Sequence, residues 1–353
     1  MSELLEKLNQ SVENLKSNSS KIYFFVQDTK GTPKASIKYI YEMAWILKQS
    51  GQNPHILHEK QDYFGVQDWL GQEYMTLPHI SVEGQQLQIA PEDTVIIPEL
   101  FGYIMSQITK LPCAKIVLCQ SYDYMFETLQ PGQNWSQLGF TKCITTSEKL
   151  KTYISQNMRN TSIDVIEPLI SEKFTPSKFP AKPVVAVHSR ESRETMNLIK
   201  QFYVKFPQYR WITFRDMRGL SMDEFSTVLR ECMVSVWIDD ISSFGTFPLE
   251  SMASNVPVIA KTPNLNPEWM NENNGIWAQN TMNVIDILAD FIQNWLEDNI
   301  SPVLYAQGLQ TSELYKDSEK FKSQVLSLFE KYKEARIENF TSEINKLELE
   351  NAN

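Results

Sequence analysis

Cysteine is scarce in this chain. Four residues of 353, Cys113, Cys119, Cys143 and Cys232, form no CxxC pair and share no metal-ligand spacing with the four histidines. A disulfide framework and a bound metal are therefore not expected, and reduced, partly buried thiols are. Long apolar runs are missing too: no stretch approaches the roughly 18 residues that a membrane span needs. The opening "MSELLEKLNQSVENLKSNSS" lacks the apolar core of a secretion signal. A cytoplasmic protein is expected, with peripheral attachment at the inner face of the membrane as a variant. Basic blocks are also absent. With 33 Lys+Arg against 43 Asp+Glu the net charge is −10, and a protein that grips nucleic acid by neutralising phosphates needs the opposite balance.

The 42% of hydrophobic residues is enough for two cores at this length. Residues 1–20 place Leu4, Leu5, Leu8, Val12 and Leu15 at helical spacing and stop in "SNSS", which predicts an amphipathic helix. Residues 21–168 then alternate short β-rich runs ("KIYFFV", "NPHILH", "DTVIIPEL", "AKIVLCQS", "KCITTS") with loops and a helical pattern ending near Gly51, the signature of a parallel sheet. Residues 169–183 are rich in Pro and Lys without periodicity and form a linker. Alternation restarts over 184–311 with "VVAVH", "YRWITFR" and "VSVWI". The tail, 312–353, carries Phe321, Val325, Leu328, Phe329, Tyr332, Ile337, Phe340, Ile344 and Leu347. It is either a helix packed across the domains or an oligomerisation coil. Two α/β domains leave a cleft, and ligands favour clefts and the carboxyl ends of parallel strands.

The stretch "SSFGTFPLESMASNVPVIAK", residues 242–261, follows the buried run "VSVWI". Pro248 fits the first position of a helix, where its missing N–H costs nothing; Glu250 then falls in the first turn, and Asn255 makes a left-handed stop before the next strand. A helix start of this kind offers free N–H groups and the positive end of the dipole to a phosphate, and Gly245 lets the phosphate come close. Glu250 has two readings: a plain complement to the dipole, or an acceptor for the vicinal hydroxyls of a ribose.

These residues resemble the donor-binding motif of two-domain (GT-B) glycosyltransferases, family four above all, which reads roughly E-G-F-G-x-x-x-L-E-A-M-A-x-G-x-P-V-I-A. Here Ser242-Ser243-Phe244-Gly245, Leu249-Glu250-Ser251-Met252-Ala253 and Asn255-Val256-Pro257-Val258-Ile259-Ala260 stand in its places. The resemblance extends over about 184–290; the N-terminal half is similar in architecture only. Two departures stand out. Ser242 replaces the motif's first Glu, for which Asp239 and Asp240 are nearby carboxylates, and Asn255 replaces its Gly. The family's second signature, G-R-x-x-x-x-K-G, is matched by Ser189 and Arg190, with Arg193 the nearest second cation.

The resemblance implies an α/β fold of two Rossmann-like domains facing a central cleft, with a long C-terminal helix. The first domain would be acceptor-side and the second would hold a nucleotide-sugar donor. It implies that Arg190 and Arg193 hold the diphosphate catalytically, which Arg can do in place of Lys. The plainer reading is a solvated helix start. Glu250 would hold the ribose. Ser189, Ser242, Ser243, Phe244, Gly245 and Thr246 would line the phosphate and sugar, and Arg215 and Met217 the base. On the acceptor side, Lys30, Gly31 and Thr32 follow the first strand. Glu99 and Asp123 end later strands as candidate bases or hydroxyl ligands, against the commoner role of surface carboxylates. The expected reaction is a metal-independent, retaining transfer without a cofactor, the nucleoside diphosphate sugar being the co-substrate. The acceptor is a glycan, a lipid-linked molecule or a protein. A homo-oligomer or a glycosyltransferase partner would bind through the terminal helices. Three other readings stay open: a degenerate transferase that stabilises an active partner, an epimerase on the same scaffold, and a dinucleotide oxidoreductase, ranked last because no G-x-G-x-x-G follows either first strand.

Overall fold

β-Branched and aromatic runs become strands, and among the described residues every ladder between strands is parallel. The computed structural model describes residues 2–84, 87–239, 241 and 243–352. They divide into two compact units, one of residues 1–145, 151–166 and 319–353, the other of 146–150 and 167–318. None of the helices described is long and apolar enough to cross a membrane.

The first unit begins with α1 (Ser2–Lys16), β1 (Lys21–Phe25), α2 (Ala35–Gln49), β2 (Asn53–His58) and β3 (His79–Ser81). It continues with β4 (Thr94–Pro98), α3 (Gly102–Gln107), β5 (Ala114–Cys119), β6 (Lys142–Thr145), α4 (Glu148–Asn157) and β7 (Ser162–Val165). Seven strands lie in the order β3-β2-β1-β4-β5-β6-β7. The chain starts in the middle, runs to one edge and returns, so its direction of winding reverses between β1 and β4. Such a switch point opens a crevice beyond the carboxyl ends of the two strands.

The second unit holds β8 (Lys182–Ser189), α5 (Ser192–Lys205), β9 (Thr213–Asp216), α6 (Met222–Glu231), β10 (Cys232–Ile238) and α7 (Thr246–Ala253). After them come β11 (Val258–Lys261), β12 (Ile276–Ala278), α8 (Thr281–Leu296) and α9 (Pro302–Glu313). The order β12-β11-β10-β8-β9 puts the switch point between β8 and β10. β10, "CMVSVWI", is buried along its whole length, as a central parallel strand covered on both faces must be. α6 before it starts in a capping box, Ser221 accepting from the Glu224 N–H while the Glu224 carboxylate accepts from the Ser221 N–H at 2.9 Å.

The tail becomes α10 (Ser318–Ala352), and its place is settled by packing: it belongs to the first unit. Phe321, Val325, Leu328, Phe329 and Tyr332 are all buried, and each large apolar side chain so covered contributes about 1.5–3 kcal/mol. Phe329 packs on Phe24 of β1 and Phe321 on Tyr39 of α2. The Tyr332 hydroxyl donates to Asp164 at 2.8 Å. Farther along, Ile337, Phe340, Ile344 and Leu347 meet Leu5, Leu8 and Val12 of α1. The two terminal helices therefore cover each other's apolar stripes, and an oligomer built through them has only their other faces to use.

Candidate functional site

The second unit gathers most of the candidate residues at its switch point. β8 ends in Ser189, whose buried hydroxyl donates to the Glu191 carbonyl at 2.6 Å and lies 3.0 Å from the Thr195 hydroxyl. That side chain anchors the start of α5. Arg190 follows. Its Nε donates to both carboxylate oxygens of Asp239, at 2.9 and 3.0 Å, and Asp239 Oδ1 also accepts the Ile241 N–H at 3.0 Å. Asp239 is buried while the Arg190 side chain is 38% exposed. One carboxylate thus ties the loop after β8 to the loop after β10 across the switch point.

Arg193 is exposed in the first turn of α5. Arg215 is exposed on the edge strand β9, opposite Ala186. Met217 is buried in the core on the α6 and α7 side, and its N–H extends the β9 ladder to Val187; it can offer a ligand only backbone. Beside it Arg218 donates through Nε to Asp216 at 3.0 Å and holds that carboxyl below its ordinary range.

The loop into α7 is tightly built. Phe244 is buried, packs edge-on against Tyr315 at 5.4 Å, and its carbonyl accepts Trp269 Nε1–H at 2.7 Å. Gly245 sits at φ 74, ψ 76, and a Cβ there would stand 2.8 Å from the Trp237 ring, so both backbone and space demand glycine. Ser243 is buried. Ser242 and Asp240 lie outside the described residues. The helix opens at Thr246, two residues earlier than expected. Pro248 is its third residue rather than its first, which still breaks no hydrogen bond, because the first four N–H groups of a helix have no partner inside it. Glu250 moves accordingly to the fifth position, past the first turn, and is buried. The dipole effect fades within one turn, so a simple complement to the dipole no longer accounts for it. Asn255 makes the expected left-handed stop at φ 58. The Val256 N–H bonds to Ser251 O and the Asn255 N–H to Met252 O, a Schellman ending.

The histidine beside this loop was not singled out from sequence as a site residue. His188 stacks on Phe247 of α7, ring centres 5.0 Å apart, and its Nδ1 is buried without a hydrogen-bond partner. Burial pushes its pKa down to about 4, against the pull of Asp239 and Asp216. Asp239 was named from sequence as a carboxylate near Ser242, but its bond to Arg190, 49 positions away, was not legible there.

In the first unit, the loop after β1 and the end of β4 meet the switch point of that sheet. Lys30 takes φ 49, its N–H bound to Asp28 at 2.8 Å. Gly31 takes φ 77 with the Phe64 ring against it, and the Thr32 N–H closes a turn onto Thr29 O at 3.0 Å. Glu99 is buried; its Oε1 accepts the N–H groups of Gln120 and Ser121 at 3.1 and 2.8 Å. It braces the turn after β5. Asp123 is exposed just beyond that turn.

No family model matches the chain. Among curated proteins, an alpha-1,6-glucosyltransferase of Actinobacillus pleuropneumoniae serotype 7 (strain AP76) is 20% identical over 205 residues, 56% of this chain. The chain spans 62% of the length of that relative. Among solved structures, the sucrose-phosphate synthase of Thermosynechococcus elongatus matches with TM-score 0.65 at 14% identity, over 90% of this chain and all of its own. Anabaena HepE in complex with UDP and glucose matches with TM-score 0.64 at 14% identity, over 88% of this chain and 100% of its own. The pneumococcal O-GlcNAc transferase GtfA, with UDP and GlcNAc, matches with TM-score 0.62 at 8% identity, over 90% and 99%. The chain has the α/β fold of these GT-B glycosyltransferases, with a Rossmann-like parallel sheet in each unit.

Proposed function

We propose that this protein is a glycosyltransferase that moves a sugar from a nucleoside diphosphate donor to an acceptor hydroxyl. The observation that carries this reading is the switch point between β8 and β10, where Asp239 ties Arg190 to the loop after β10 and that loop passes through the left-handed Gly245 into α7, the helix that carries the buried Glu250. A diphosphate there would meet the N–H groups at the helix start and the Arg190 guanidinium, with Arg193 reaching from α5. Both cations would stabilise the charge that builds on the leaving diphosphate as the glycosidic bond breaks. Glu250 would accept from the ribose hydroxyls, and Arg215 with the Met217 backbone would meet the base. Glucose and UDP are the first donor to test, because the curated relative is a glucosyltransferase and HepE was solved with UDP-glucose. Retention of the anomeric configuration, independence from metal and cofactor, and the acceptor-side roles of Lys30, Gly31, Thr32, Glu99 and Asp123 belong to the same proposal. So do a glycan, lipid-linked or protein acceptor and a cytoplasmic location, with peripheral attachment at the inner face of the membrane as a variant.

The test is release of UDP from UDP-glucose in the presence of candidate acceptors. Turnover that falls at least a hundredfold in Arg190→Ala is expected. Equal turnover in that variant would remove Arg190 from the mechanism.

A second reading is favoured by one observation. The cation nominated for the diphosphate is already bound by a buried carboxylate, Asp239. A ligand must share or displace that partner, which weakens its hold, and a non-catalytic protein that supports an active transferase would show this feature at no cost. Weak donor binding together with a stable complex with another transferase would favour it.

A further inference from the structure

One face of the sheet in the first unit is incompletely covered. Register and alternation put Phe25, Leu57, Val95 and Ile97, from β1, β2 and β4, on that face, and none is more than 3% exposed. Phe24, on the opposite face, meets Phe329 of the long helix α10. The crossover from β4 to β5 supplies the first face with α3, a helix of six residues. Six residues make about 9 Å of helix, against about 17 Å for a five-residue strand such as β1 or β4. α3 is therefore about half as long as the strands it lies over. Phe101, just before it, packs edge-on against Phe25 at 4.7 Å.

A cavity of about 520 Å³ occupies the uncovered remainder. Its floor is the strand face. Its walls are Ile104, Ile108 and Leu111, from α3 and the residues after it, with Leu87 and Ile89 from the segment between β3 and β4. These five aliphatic side chains are only half-buried. Covering them fully would stabilise the fold, so a space this large left among them calls for a reason. Its volume lies in the range of small-molecule pockets, and its character matches them too: apolar within, with a few polar groups at the rim. At that rim the Tyr103 hydroxyl donates to the Glu59 carboxylate. The Lys60 ammonium lies 3.8 Å from Glu83, whose carboxylate also accepts the Gln61 N–H at 3.1 Å. Lys60 is the one cation among the described lining residues, and Glu83 already engages it. Two carboxylates against one ammonium repel an anionic head group, so a fatty acid or a lipid phosphate fits poorly. Glu59 and Lys60 directly follow β2, which places the rim at the carboxyl ends of the strands, beside the crevice of the β1–β4 switch point.

We propose that this cavity binds the hydrocarbon part of an uncharged amphiphilic acceptor, with its hydroxyl-bearing head at the rim beside Glu59 and Gln107. Calling that ligand an acceptor rests on the transferase reading above; the cavity as a binding site does not. Depth favours a chain over a protein surface, because the floor is buried behind walls that stand half-exposed.

The probes are n-hexyl, n-heptyl and n-octyl β-glucoside, titrated calorimetrically into the full chain below their micelle concentrations. Each added CH₂ should lower Kd about fourfold. Octanoate, which carries an anionic head, should bind about tenfold more weakly than octyl glucoside, or weaker still. Ile104→Trp and Ile108→Trp fill the cavity from its wall. Each should raise the Kd for octyl glucoside at least about tenfold, the loss of two or more buried CH₂ groups, while Tm and the Kd for UDP stay unchanged. The chain-length series on the wild type decides the matter even where a variant fails to fold. Absence of binding, a Kd indifferent to chain length, or binding that survives both variants would overturn the cavity as a site and leave the donor reading standing. Octanoate binding as tightly as octyl glucoside would overturn the uncharged ligand. Alkyl glucosides that bind as expected to a chain that binds no nucleoside diphosphate would overturn the donor reading, and the acceptor role with it, but not the cavity.

Discussion

Gly245→Ala strikes a backbone and a ring at the same time, and the two penalties can be measured separately. The first comes from φ 74, where an L side chain costs about 1–2 kcal/mol. The second comes from the added Cβ, which would lie 2.8 Å from Trp237 Cη2 and 3.1 Å from Cζ2. Trp237 is 1% exposed, within the central strand, and has no free space to move into; overpacking of this kind costs about 1–3 kcal/mol. The sum is about 2–5 kcal/mol, which lowers Tm by about 4–20 °C for a unit of this size. Chemical denaturation followed by tryptophan fluorescence reads the loss. In a Trp237→Phe background the smaller ring leaves room for the methyl, so the same change should cost only the backbone share, about 1–2 kcal/mol. A penalty below about 0.5 kcal/mol in the wild-type background would refute the whole account of this turn. An equal penalty in both backgrounds would refute the part that involves Trp237.

Other consequences are more direct. His188 has a folded pKa of about 4 against an ordinary value of 6.5, so between these values the unfolded chain binds more protons. The stability present above about pH 6.5 is therefore lost as pH falls towards 4, by up to about 3 kcal/mol, and denaturation midpoints for His188→Phe should show that much less slope in this window. Asn255→Gly keeps the left-handed ending of α7 at φ 58 and removes an unpaired buried Oδ1, so it should be neutral or stabilise by up to about 1 kcal/mol, whereas Asn255→Ala should destabilise by about 1–2 kcal/mol. Tyr332→Phe breaks the bond to Asp164 and should cost the first unit about 1.5–3 kcal/mol, visible as earlier hydrogen exchange in β7 and α10.

Much of the fold is written in local pattern. The runs "KIYFF" and "CMVSVWI" are buried strands because nothing polar interrupts them enough to turn one face outward. Asn255 announces its own conformation, since few residues other than Gly tolerate it. The edge strands β3 and β12 were not legible: each is three residues long and partly exposed, too short for any period to show. The start of α7 was misplaced for a different reason. A Pro suggests the first helical position, but Gly245 in the left-handed region begins the helix at Thr246, and that moves Glu250 out of the first turn. The destination of α10 depends on Phe24, Tyr39 and α1, contacts hundreds of positions away in sequence, and no periodicity encodes them. The site follows the same division. Gly245 and Glu250 could be named from local chemistry and Arg190 from the resemblance to the GT-B signature, while the Arg190–Asp239 bond and the unpartnered nitrogen of His188 exist only once β8 and β10 lie side by side.

The measurement that bears most directly on the donor site is a thermal-shift titration with UDP, GDP, dTDP, CDP and ADP, with NAD as the control. A diphosphate present at a hundred times its Kd should add about 2.7 kcal/mol to the stability of the second unit. One diphosphate is expected to raise Tm clearly, with the rise abolished in Arg190→Ala and reduced in Glu250→Ala. Flat curves with all five, or a response to NAD alone, would contradict a nucleotide-sugar site at the β8–β10 switch point.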